Sequence, residues 1–186
     1  MLRTPATPAS LLRDVIVPAL AQMPATYDSN RARCMLTAIG FQEGEALLAS
    51  SKPNLLRRQG AHVDQLGPAR GFWQFELPGV REVLTHYATD DTAAMLVNAA
   101  KAPRESRALH VFLERPTSDL LACQLARLLL FTDPAPLPDT KLGEEAVAFG
   151  YYLRRWRPGA ASTPEGRAKC ARRWTQNWRR AVEACA

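Results

Sequence analysis

Two groups of residues have types and spacing that could do chemistry. The first centres on Glu43 in the stretch "MLTAIGFQEGEALL". A helix with Ala32, Met35, Leu36 and Ile39 on its buried face delivers this carboxylate to its own C-terminal end, with Gly44 as a stop. There the negative end of the helix dipole and the apolar neighbours Ile39 and Phe41 both disfavour charge. A carboxyl so placed holds its proton and can donate it, as a general acid must. The second group is "GPARGFWQFE", from Gly67 to Glu76. Gly71 before an aromatic pair suggests a tight turn that brings main chain close to a ligand. Phe72 and Trp73 offer flat apolar surface for the C–H faces of sugar rings, and Gln74 offers a donor and an acceptor. The plainer readings are a solvated glutamate at a helix end and a turn that plugs the core.

Other chemistries find less support. His62, His86 and His110 are scattered, with no H-E-x-x-H pattern, and read as surface or satisfied histidines. The serines lack a nucleophile-elbow glycine pattern. Cys34, Cys123 and Cys170 fall on apolar faces, Cys185 stands near the end, and no C-x-x-C pair supplies zinc spacing. Buried, reduced thiols are expected, with no metal and no cofactor.

The elements that must position these groups read as helices. Ser10 caps a helix carrying Leu11, Leu12, Val15, Ile16, Ala19 and Leu20, which Pro18 should kink or split. Asp28 or Ser29 caps the helix leading to Glu43. Residues 50–71 look irregular, with room for a short hairpin between 54 and 76. Helical patterns resume over about 79–88, 91–101 and 104–114. A helix capped by Thr117 or Ser118 runs through Phe131, apolar almost all round and so central. Another spans about 142–156. The last begins at Thr163–Pro164, with Cys170, Trp174, Trp178, Ala181, Val182 and Cys185 as its stripe and Arg172, Arg173, Gln176, Arg179 and Arg180 on other faces. The expected fold is mainly α, a single domain with at most a minimal β-hairpin.

The 186 residues suffice for one core without staples. No apolar run approaches the roughly 20 residues of a membrane span, and "MLRTPATPAS" lacks the pattern of a signal peptide. The net charge of +6 is uneven: residues 151–186 hold nine Lys/Arg against two Asp/Glu, a balance of +7, leaving −1 for the rest. That basic end is either a solvated face or a surface for a polyanion.

Taken together, a helix ending in "QE", an irregular loop and then Ala69-x-Gly71-aromatic-aromatic-Gln74 resembles the lysozyme-like superfamily. The chain looks most like lytic transglycosylases and goose-type lysozymes, and within these like the cell-wall-degrading virion or tail proteins of bacteriophages and prophages. The family pattern is Glu-Ser, then Gly-Ala-x-Gly-Leu-Met-Gln. Glu43 matches the acid, and Ala69, Gly71 and Gln74 match the second motif. Phe72 and Trp73 replace Leu-Met, Pro68 replaces the first glycine, and Gly44 replaces the serine. The gap from Glu43 to Gly71 is longer than the family's. The later Ala-Tyr-Asn-Ala-Gly motif is absent, and "AFGYYLRRW" places Tyr151 or Tyr152 near its tyrosine.

The resemblance implies a lysozyme-like core over 29–160, preceded by a helix and loop at 1–28 and followed by a basic helix at 161–186. It implies cleavage of the β-1,4 bond between N-acetylmuramic acid and N-acetylglucosamine in peptidoglycan, with Glu43 as acid and then base. A lytic transglycosylase is slightly favoured over a hydrolytic muramidase. A hydrolase would need a second carboxylate, for which Glu76, Asp64 and Glu45 are candidates; nine residues after Glu43, where phage-type lysozymes carry aspartate, stands Lys52. The implied partners are bacterial peptidoglycan and other phage virion or tail proteins, with a monomer expected and nucleic acid less favoured. The implied route is synthesis in the bacterial cytoplasm and action on the cell wall as a virion or lysis component. The competing class is a non-catalytic phage structural protein that binds wall glycan or nucleic acid.

Overall fold

The apolar helical periodicities become nine α-helices among the described residues, which in this computed structural model are 7–48, 69–156 and 159–186, with backbone alone for 45–48. The fold is mainly α, and no sheet forms among these residues.

The N-terminal helix opens with a reciprocal cap. Thr7 Oγ1 accepts from the Ser10 amide at 3.1 Å, and Ser10 Oγ accepts from the Thr7 amide at 3.0 Å. The cap therefore lies three residues before the expected Ser10. Pro18 does not break the helical run. Helix α1 (Pro8–Leu11) passes through a π-helical turn (Leu12–Ile16) into α2 (Val17–Leu20). The wider π turn accommodates the hydrogen bond that proline cannot donate.

Helix α3 (Asn30–Leu48) is capped by Ser29, whose Oγ accepts from the Ala32 amide at 3.1 Å. It runs on past Gly44, so Glu43 sits inside the helix and not at its end. Shorter helices α4 (Leu77–Thr85), α5 (Asp90–Ala99) and α6 (Ser106–Phe112) lead to α7 (Asp119–Phe131). Every residue of α7 from Leu121 to Leu130 is buried. It touches α2, α3, α4 and α5, as its all-round apolar pattern requires.

Helices α8 (Glu145–Trp156) and α9 (Pro164–Cys185) complete the molecule. Thr163 Oγ1 caps α9 by accepting from the Gly166 amide at 3.1 Å, with Pro164 in the first turn. Cys170, Trp174, Trp178 and Ala181 are buried between α3 and α8. Each indole N–H also has a backbone acceptor, Glu145 at 3.1 Å for Trp174 and Lys141 at 3.3 Å for Trp178. These bonds fasten the start of α8 to α9 while satisfying polar atoms that burial would otherwise penalise.

Gly40 of α3 makes room for the close packing of α1 and the Phe72 ring. A Cβ there would lie 2.8 Å from Leu11 Cδ2 and 2.8 Å from Phe72 Cε1. In an exposed helix, Gly→Ala gains about 1 kcal/mol, whereas overpacking a filled core costs about 1–3 kcal/mol. Leu11 is fully buried and Phe72 nearly so, so neither yields freely. Gly40→Ala is therefore expected to destabilise by about 1–2 kcal/mol, read as a lower urea midpoint at unchanged slope; a higher midpoint would show that the contact relaxes.

Candidate functional site

The segment around Gly71 forms a four-residue turn closed by a single antiparallel bridge. Arg70 and Phe75 exchange both backbone bonds, at 2.7 and 2.8 Å. Gly71 has φ +70° and Gln74 φ +49°. A Cβ on Gly71 would stand 2.9 Å from the Leu113 carbonyl oxygen, so the glycine serves a close approach within the protein. Gln74 Nε2 donates back to the Gly71 carbonyl at 2.7 Å, which supports its left-handed backbone.

The aromatic pair points inward. Trp73 is fully buried, and its indole donates to the Leu36 carbonyl of α3 at 3.1 Å. Phe72 is 9% exposed and lies over α3, where a Cβ on Gly44 would be 3.1 Å from its Cζ. Glycine at position 44 thus gives the Phe72 ring space. These two rings are core, and neither offers the flat sugar-binding face expected from the sequence. Trp156, at the end of α8, donates to the Trp73 carbonyl at 2.9 Å and ties the turn to that helix. His110 Nε2 lies 2.9 Å from the Phe75 carbonyl oxygen, and Arg70 pairs with Glu114 at 3.1 Å. The turn is therefore held from α3, α6 and α8 together.

Glu43 is partly buried on the same helix. Tyr152 of α8 donates its hydroxyl to Glu43 Oε1. Tyr152 is itself fixed by stacking on Trp174, with centroids 4.6 Å apart and planes at 20°. Burial pushes the Glu43 carboxyl above its usual range, and the charge of Glu76 adds to this. The Tyr152 hydrogen bond and the positive charge of Arg173 act the other way. The cause is thus desolvation more than a helix terminus, because α3 continues beyond Glu43. Burial and the neighbouring carboxylate likewise push the Tyr152 phenol up, so it stays a donor at neutral pH.

Arg173 departs from the outward placement read from α9. Its Nη2 donates to the Gln42 carbonyl at 2.5 Å. Gln42 is buried beside it, accepting from Asn177 Nδ2 at 3.1 Å and donating to the Cys170 carbonyl at 3.4 Å. Asn177, a polar residue inside the Trp174–Trp178–Ala181 stripe, was the signal in the sequence that this face covers a polar network.

The remaining candidates divide. Of the tyrosine pair, Tyr152 reaches Glu43. Tyr151 instead donates to the Leu130 carbonyl at 2.7 Å, and burial raises its phenol to about 12. Glu76 is exposed, and its charge acts on Glu43. It opens α4, while Gln74 belongs to the turn, so the two do not share one extended face. No hydrogen bond joins Gly71 or Gln74 to Glu43 among the described residues. Asp64 and His62 lie outside those residues, as does the side chain of Glu45. No group of three His, Cys, Asp or Glu among the described residues could hold a metal ion.

Comparison with protein-family models, curated proteins and solved structures finds no match.

The geometry of Glu43 has a consequence for stability. Its pKa is higher folded than unfolded, so between those two values the folded state binds more protons. Its contribution therefore falls as pH rises through that window. Glu43→Gln, which preserves the acceptor for Tyr152, is expected to raise thermal stability at pH 7 and to show little gain near pH 3. A gain independent of pH, or none at neutral pH, would remove the buried carboxyl as its source.

Proposed function

We propose that this protein is a peptidoglycan-degrading enzyme in which Glu43 protonates the glycosidic oxygen between N-acetylmuramic acid and N-acetylglucosamine. The observation that carries the reading is the environment of Glu43. It is a desolvated carboxyl with one oxygen held by Tyr152, so its other oxygen can deliver the proton. The matches at Glu43, Ala69, Gly71 and Gln74 to the transglycosylase motifs point to the same residue.

Arg173 and Tyr152 both favour the charged form, so they stabilise the carboxylate once its proton has gone to the leaving oxygen. That carboxylate is then the base for the second step. In the transglycosylase route it accepts the proton of the sugar's own 6-hydroxyl as that oxygen attacks the anomeric carbon, leaving a 1,6-anhydro end. A single glutamate suffices there; among the described residues the carboxylate whose charge acts on Glu43 is Glu76, which is exposed at the head of α4. The positive balance of residues 151–186 favours approach to an anionic wall.

The test is mass spectrometry of muropeptides released from purified peptidoglycan. Anhydro-ended products are expected from the native protein. Glu43→Gln should cut their rate by about 10²–10⁴-fold, and Tyr152→Phe by a smaller factor. Products heavier by one water would replace the transglycosylase with a muramidase and direct attention to Glu76. No release from several wall types would sink the enzymatic reading and favour a glycan-binding or structural role.

A further inference from the structure

A cavity of about 770 Å³ opens beside Tyr151, on another face of α8 from the Tyr152–Glu43 pair. Arg127 of α7 lines it and is 5% exposed. Its Nε donates to the Tyr27 carbonyl at 2.6 Å. The guanidinium carbon lies 5.6 Å from the Tyr27 ring centroid and 5.3 Å from that of Phe131. Its Nη1 is sealed from solvent with no hydrogen-bond partner.

Among the described residues no carboxylate pairs with Arg127. The acids nearby are paired with other arginines; the charge of Asp28 still acts on Arg127, but burial outweighs it. Asp28 accepts two bonds from Arg33, at 2.8 and 2.6 Å, Asp133 pairs with Arg154 at 3.1 Å, and Asp139 pairs with Arg31. A buried cation held by one carbonyl and two ring faces is under-compensated, and an anion in the cavity would supply what is missing.

We propose that this cavity binds a small organic monocarboxylate with an apolar or aromatic body. The ligand's carboxylate pairs with Arg127 where that residue lines the cavity, and its charge offsets the buried cation. The volume is that of a small-molecule site. The rim suits a flat apolar body: Tyr87 is 88% exposed and stacked on His86 at 4.6 Å, and Phe131 is 39% exposed. Pro134 and Leu137 add apolar wall. A single planar guanidinium matches a carboxylate. The other arginine of the lining, Arg31, is already paired, so Arg127 alone of the two offers an unpaired positive charge, which matches a monoanion better than a dianion such as phosphate. The site is separate from Glu43 and stands independently of the glycosidase reading.

The experiment titrates the full chain with 3-phenylpropionate, 3-phenylpropanamide and inorganic phosphate, following the Arg127 Nε–H resonance by NMR; Arg127→Lys, which removes that resonance, assigns it. A saturable shift with the carboxylate is expected, at least tenfold weaker with the amide and absent with phosphate. Tyr87→Ala, at an exposed position that leaves the core untouched, should weaken the carboxylate several-fold. No shift with any probe, equal binding of the amide, or equal binding of phosphate would each overturn the proposal. Unchanged affinity in Tyr87→Ala would overturn the aromatic rim.

Discussion

The architecture around Glu43 depends on burying indole rings whose N–H groups must each find an acceptor. All four tryptophans meet this demand with a backbone carbonyl. Trp73 bonds Leu36, Trp156 bonds Trp73, Trp174 bonds Glu145 and Trp178 bonds Lys141. Each bond joins segments distant in the chain, so α3, the Gly71 turn, α8 and α9 are linked through them. Large rings contribute apolar burial, and the directional bond fixes how each ring sits.

That aromatic layer also creates the electrostatics of the site. Trp174 stacks on Tyr152, and Tyr152 reaches Glu43. The same packing that withdraws Glu43 from water brings the hydroxyl that holds one of its oxygens. Arg173, on the α9 face that carries Trp174, adds a positive charge and clamps the Gln42 carbonyl next to Glu43 in the chain. Desolvation raises the carboxyl's pKa, and these two groups limit the rise. A proton-transfer group needs both influences, because one that never ionises cannot serve as a base. Phe72 makes a different contribution. Its ring occupies the space left by Gly40 and Gly44, which draws the turn onto α3.

Much of the scaffold was legible in the sequence because periodicity and caps are local. The stripes of α3 and α9, the Thr163–Pro164 start and the all-round apolar α7 all derive from residues a few positions apart. The exceptions are also local in cause. Pro18 was absorbed by a π turn, since the missing hydrogen bond can be re-routed inside the helix. Gly44 did not stop α3, since a glycine within a helix costs only about 1 kcal/mol and here it accommodates a ring.

The candidate site was legible by residue type and not by role. Sequence alone determined that the protein is mainly helical, that a helix carries Glu43, and that Gly71–Gln74 makes a turn; it read that helix as amphipathic, whereas residues 34–42 are buried on every face. Those features depend on backbone preference and on the spacing of neighbours. Only the tertiary structure decided that Phe72 and Trp73 face the core, that Tyr152 and not Tyr151 meets Glu43, and that Arg173 turns inward. Those outcomes depend on which helix faces cover one another, and residues more than 100 positions apart meet there, as Tyr152 meets Glu43 and Arg173 meets Gln42. The pKa of Glu43 belongs to the same class, because desolvation is a property of the packed whole and no single segment carries it.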